Sequence, residues 1–157
     1  MRNSPKFSAA WLASLTPELQ KNFLQGLTND ELTILLSEWS FWARDDQLPP
    51  EGNWTTWLLL GGRGAGKTRA GAEWIRMRVK DKNPMFAARH IALVGETLAA
   101  ARSVMVEGPS GILSISPEHE RPQFISSRNM LVWPNGAKAQ LFSSTRPAFI
   151  GKIRRLG

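Results

Sequence analysis

The sequence predicts an α/β fold: a parallel sheet covered by helices and preceded by a small helical segment. Three observations predict it. The first 43 residues carry capping signals followed by apolar positions at helical spacing. An apolar run, Thr56-Trp57-Leu58-Leu59-Leu60, leads through a glycine-rich octet into a helical pattern from Lys67 to Val79. A second apolar run, His90-Ile91-Ala92-Leu93-Val94, follows that helix. Strand, helix and strand of these lengths form a βαβ unit with a right-handed parallel crossover.

In order along the chain, Thr16-Pro17-Glu18-Leu19 places a capping hydroxyl before a proline at the first helical position. Leu19, Phe23, Leu24 and Leu27 then form a one-sided stripe. Thr28 and Glu31 have the spacing of a capping box, and Leu32, Leu35, Leu36 and Trp39 continue at helical spacing. These apolar residues are expected in a core. Pro49-Pro50 and Gly52-Asn53 mark a non-helical connector. Trp42, Trp54 and Trp57 read as packing residues whose N–H groups find partners nearby. Leu58 to Leu60, apolar on consecutive residues, suit a central strand covered on both faces. Past Asp81-Lys82-Asn83-Pro84 and the second run, Leu98 to Val106 reads as a helix ended by Gly108-Pro109. Phe124 to Ser127, Met130 to Trp133 and Ala137 to Phe142 read as short strands, with Pro134-Asn135-Gly136 turning between the last two.

The octet Gly61-Gly62-Arg63-Gly64-Ala65-Gly66-Lys67-Thr68 satisfies G-x-x-x-x-G-K-[ST] at every fixed position, in strand–loop–helix context. The glycines let backbone N–H groups approach phosphate oxygens where a Cβ would obstruct. The helix beginning near Lys67 aims its unpaired N–H groups at the same anion. Lys67 is expected to reach the β- and γ-phosphates of a bound nucleotide, and the Thr68 hydroxyl to ligate Mg²⁺. Arg63 has two readings: a solvated loop charge, or a guanidinium in cis that stabilises charge on the transferring phosphoryl group. Gln47, a short way ahead of the loop, is placed to read an adenine edge with its amide.

Composition excludes more than it names. The chain has 157 residues and no cysteine, so it has no disulfide framework and no thiolate metal site. No apolar run approaches the ~20 residues of a membrane span. His90 and His119 lack metal-ligand spacing. The net charge of +7 resides wholly in the last quarter: Arg121 to Gly157 carries seven basic residues and no acid, and the other 13 Lys and Arg match the 13 Asp and Glu. Such a tail can bind phosphate backbones.

Phe41-Trp42-Ala43-Arg44 through Gln47-Leu48-Pro49-Pro50, then Trp54 to Leu60 and Gly61 to Trp74, resembles the large terminase subunit, the DNA-packaging motor of tailed phages and gene-transfer particles. The resemblance runs from about Thr16 to Ser143. It implies an N-terminal P-loop NTPase of the RecA-like ASCE type, joined in the family to a nuclease resembling ribonuclease H. It implies ATP and Mg²⁺ as cofactors, and duplex DNA, a terminase small subunit and the capsid portal as partners, in the cytoplasm of a bacterial host. Carried over by position, Lys67 and Thr68 match the phosphate and Mg²⁺ ligands, Arg63 the arginine kept inside the loop, and Gln47 an adenine-contacting glutamine.

One departure stands beside it. The family's next buried strand ends in Asp-Glu, whereas no acid follows Glu120 here. Glu96, after the run Ile91 to Val94, is the nearest substitute for the water-activating base. The expected organisation is a helical segment over 1–43 and a partial ATPase domain over 44–157, in which 145–157 is a tail foreign to the family, left by truncation. Three function classes follow: an active ATP-driven motor, a nucleotide-binding remnant with little hydrolysis, and a basic DNA-binding module. The residues favour the second, because phosphate grip needs only loop and helix, whereas turnover needs an activated water.

Overall fold

A computed structural model describes residues 7–145. Arg146, Lys152, Arg154 and Arg155, and with them most of the expected tail, lie outside the described residues. The chain divides into two compact units, one up to Ala70 and one from Gly71.

The first unit begins with four short helices: α1 (Ala9–Ser14), α2 (Pro17–Gln25), α3 (Asn29–Ser37) and the single turn α4 (Trp39–Trp42). Their starts follow from their caps. The Ser8 hydroxyl accepts from the Trp11 N–H at 3.2 Å, and Thr16 accepts from Leu19 with Pro17 at the first position. Thr28 and Glu31 form the expected reciprocal box, the Thr28 N–H donating to the Glu31 carboxylate at 2.8 Å. Hydrogen bonds from the Thr28 backbone and hydroxyl hold the Glu31 carboxyl below its ordinary value.

Helices α1, α2 and α4 contribute to one aromatic cluster. Phe7 lies 5.3 Å from both Trp11 and Phe41, and Trp11 lies 5.9 Å from Phe23, centroid to centroid. Phe41 is its buried member. The apolar stripe expected in a core is only partly covered: Phe23, Leu27, Leu32, Leu35 and Trp39 are half-buried, whereas Leu19, Leu24 and Leu36 are exposed. Helices of nine residues or fewer around a single cluster have too little apolar surface to close over both stripes. The Trp42 and Trp54 N–H groups do find nearby carbonyls, of Leu35 at 2.9 Å and Pro50 at 2.8 Å.

Thr56 to Leu60 forms no strand, contrary to the sequence reading. Leu58 and Leu60 are 72% and 84% exposed. A strand exists only through ladder partners. All four strands among the described residues belong to the second unit and pair with one another.

Helix α5 (Lys67–Lys80) starts in the first unit and continues into the second. The second unit then holds β1 (His90–Gly95), α6 (Leu98–Ala100) extended by a π-helical segment Ala101–Val106, α7 (Ile112–Ile115), β2 (Gln123–Ile125), β3 (Met130–Val132) and β4 (Lys138–Ser143). The sheet order is β1-β4-β3-β2. β1 pairs with β4 in parallel, from His90 opposite Lys138 to Gly95 opposite Ser143, and β3 runs antiparallel to both neighbours. The sheet is therefore mixed, and the expected crossover from Thr56–Leu60 to β1 is not formed. The β3–β4 hairpin is formed as read. Gly136 takes φ +85°, and its N–H donates to the Trp133 carbonyl at 2.9 Å. Asn135 accepts from Ala137 N–H and donates to the Val79 carbonyl at 2.9 Å, satisfying an end carbonyl of α5.

The core of this unit joins Val79, Leu93, Val106, Ile112, Leu131 and Trp133 with small residues such as Ala101, Ala137 and Ala139. Beside it lies an ion network. Arg76, buried, contacts the buried Glu73 at 3.2 Å and Glu120 at 2.7 Å, and Lys80 meets Glu120 at 2.6 Å. Burial alone would push the Glu120 carboxyl up, but hydrogen bonds and charge from Arg76 and Lys80 outweigh it and hold the group below its ordinary value.

Candidate functional site

The eight residues Gly61 to Thr68 lie in the first unit, where Thr68 already belongs to the first turn of α5. Gly64 and Gly66 take φ +82° and +79°, a region that residues with a Cβ adopt only at a cost. These two inversions turn the backbone sharply enough to deliver it into the helix. The Gly66 carbonyl accepts from the Ala70 N–H at 2.9 Å, the first turn of α5. A Cβ on Gly62 or Gly64 would meet no atom within 4 Å, so the loop stands open on that side.

The Lys67 side chain turns back over the loop. Its ammonium donates to the Gly61 carbonyl at 2.6 Å and to the Gly62 carbonyl at 2.7 Å. Arg63 is exposed in the turn, and Thr68 is half-buried.

Facing the loop is the short 3₁₀ turn Asp45–Gln47. Gln47 is 8% exposed, and both ends of its amide are engaged. Its Oε1 accepts from the Arg44 N–H at 3.1 Å, and its Nε2 stands 3.5 Å from the Ala65 carbonyl. The Arg44 guanidinium donates to the same carbonyl at 3.1 Å and to the Asp46 carboxylate at 3.1 Å. A Cβ on Gly66 would collide with the Gln47 amide, so glycine there serves a close approach as well as a backbone conformation.

A cavity of about 380 Å³ opens between these segments. Leu48, Pro50, Trp57 and Leu58 to Leu60 supply apolar walls, and Asp46, Gln47 and Lys67 supply the polar groups. A volume of several hundred Å³ is within the range of small-molecule sites. The structure thus brings together Gln47, Ala65 and Lys67 as lining residues, with Gly61, Gly62, Gly64 and Gly66 in the adjoining loop. Glu96 is not among the lining residues. It is exposed at the end of β1 in the second unit, and its backbone carbonyl accepts from Ser143 at 2.8 Å and Thr145 at 3.1 Å. Among the described residues no group of three or more His, Cys, Asp or Glu is placed to hold a metal.

Arg44 and Asp46 are site residues that sequence reasoning missed. Arg44 was legible only as part of a stretch shared with a family. Its contact with Ala65, 21 positions on, has no local signal.

A mixed α/β unit following a glycine loop that opens a helix defines a class, and the comparison with known families narrows it. Residues 58–154 match the family described as terminase large subunit, T4likevirus-type, N-terminal. That span is more than half of the chain, and the chain belongs to this family: it is an N-terminal part of a phage DNA-packaging terminase large subunit. The matched region holds the whole octet from Gly61 to Thr68, and it extends past Thr145 into the stretch expected to be foreign. Neither the curated proteins nor the solved structures compared with the chain gave a match. No helix among the described residues is long and apolar enough to cross a membrane.

Proposed function

We propose that the chain is the nucleotide-binding part of a packaging motor, a P-loop NTPase that takes ATP and Mg²⁺ at Gly61 to Thr68. The observation that carries this reading is the placement of Lys67 over a loop with two left-handed glycines at the start of α5, beside a cavity of nucleotide scale. The open space over Gly62 and Gly64 fits an anion held by backbone N–H groups. In this reading Lys67 leaves the Gly61 and Gly62 carbonyls and pairs with the β- and γ-phosphates. Thr68 supplies a hydroxyl to Mg²⁺, and Arg63 places a positive charge beside the terminal phosphate. Bound Mg²⁺ supplies charge neutralisation between phosphate oxygens. Gln47 is among the residues lining the cavity, and Leu48, Pro50 and Trp57 offer apolar surface to a purine. Duplex DNA, the small subunit and the capsid portal are the partners this role requires.

Binding is expected to exceed turnover. The acid lining the cavity, Asp46, is already engaged by Arg44. Calorimetric titration of the chain with ATP in Mg²⁺, alongside phosphate release, tests the proposal. Lys67→Ala should weaken binding by about tenfold or more, the scale of a lost charge-assisted hydrogen bond, and release should stay near background. Unchanged affinity in Lys67→Ala would mean that the loop is not the phosphate site.

A further inference from the structure

We propose that Arg44 is a positioning residue for the phosphate loop: it orients the Ala65–Gly66 peptide so that the Gly66 N–H is presented to the anion. This rests on reading Gly61 to Thr68 as a phosphate loop. A trans peptide is planar, with its C=O and N–H pointing in opposite directions, and the described chain contains no cis bond. Fixing the direction of one group therefore fixes the other. The Ala65 carbonyl has two donors on one side, the Arg44 guanidinium at 3.1 Å and the Gln47 Nε2 at 3.5 Å. The Gly66 N–H must then face away from Arg44 and Gln47.

The donors are themselves held. The Arg44 N–H donates to Gln47 Oε1 at 3.1 Å, which requires the oxygen end there and leaves the NH₂ end for Ala65. Asp46 takes the Arg44 guanidinium on both carboxylate oxygens, at 3.1 and 3.4 Å. With φ of +79°, Gly66 has freedom that most residues lack, so an external restraint on its peptide is effective there. The Arg44 side chain is 58% exposed, so its role is orientation rather than packing.

The test compares inorganic tripolyphosphate, ATP and GTP as ligands of the full chain. Arg44→Met removes the guanidinium but keeps the backbone N–H that anchors Gln47. It should weaken tripolyphosphate and ATP alike, by about fivefold, and leave the ATP-to-GTP ratio as in the parent. Arg44→Lys restores one donor and should recover most of the loss, which a merely structural defect would not do. Thermal melts of both variants within a few degrees of the parent, about 5 °C by the usual scale, establish that they fold. Parent-like binding of tripolyphosphate by Arg44→Met would overturn the proposal while leaving the phosphate loop in place. A changed ATP-to-GTP ratio with unchanged tripolyphosphate affinity would overturn it in favour of a base contact. Failure of the parent itself to bind tripolyphosphate and ATP would refute the phosphate-loop reading and this inference with it.

Discussion

The Lys67 ammonium donates to the Gly61 carbonyl, 2.6 Å away and six residues earlier in the chain, and to the neighbouring Gly62 carbonyl. The loop thus holds the lysine that is proposed to serve its ligand. Two converging carbonyls suit a compact ammonium with rotatable donors better than a planar fork. Because Lys67 leaves those carbonyls when it pairs with phosphate, where it acts as a compact point charge, Lys67→Arg should lower ATP affinity by about tenfold although the charge is kept. Equilibrium titration of the two proteins measures this, and equal affinities would show that charge alone is what the position supplies.

Gly64 and Gly66 form an internal control. Both have left-handed φ, but a Cβ meets nothing at Gly64 and runs into the Gln47 amide at Gly66. Gly64→Ala should cost about 1 kcal/mol, the backbone penalty alone. Gly66→Ala should cost more, about 2–3 kcal/mol, because the Gln47 amide must swing aside and give up its hydrogen bonds with Arg44 and Ala65. Urea unfolding of the two variants gives the difference. If the two costs are equal, the Gln47 contact does not constrain the loop.

The ion network of the second unit sets a pH dependence. Glu120 sits below its ordinary value of 4.5 because Arg76 and Lys80 outweigh the effect of burial. A depressed carboxyl contributes stability that is fully present above its unfolded value and is lost as pH falls through the lower folded value. Melting temperature should therefore fall below pH 4.5, and Glu120→Gln should flatten that fall. Arg76→Met should be costlier at neutral pH, on the order of 3 kcal/mol, because it leaves the buried Glu73 without this partner. A Glu120→Gln profile that falls as steeply as the parent's would remove Glu120 from the account.

Leu58 and Leu60 expose large apolar side chains on a segment outside any sheet. Such surface favours self-association. Leu58→Ser with Leu60→Ser should raise the monomer fraction in sedimentation velocity at micromolar concentration. An already monodisperse parent would argue that these leucines are harmless as they stand.

Which features were legible depended on whether their cause is local. The Thr28–Glu31 box, the Pro17 start, the Pro134-Asn135-Gly136 turn and the limits of β1 and β4 within a residue or so all follow from interactions spanning a few positions. The turn of the octet into α5 was legible for the same reason, because left-handed φ at Gly64 and Gly66 calls for glycine at those positions. The pairing of β1 with β4 was not, since parallel partners 48 positions apart leave no mark on either segment. Nor was the exposure of Leu58 and Leu60: consecutive apolar residues suit a strand covered on two faces, but whether neighbouring strands pair with the segment and other layers cover it depends on residues remote in sequence. Arg44 escaped notice because a guanidinium reaching 21 residues forward looks, in sequence, like any surface charge.

The central claim is that Gly61 to Thr68 receives the phosphates of a nucleotide, and amide hydrogen exchange tests it most directly. With Mg²⁺ and ATP in excess, the amides from Gly62 to Thr68 should exchange more slowly, and Lys67→Ala should abolish that protection. ATP binding that protects another segment and leaves these amides unchanged would contradict the account.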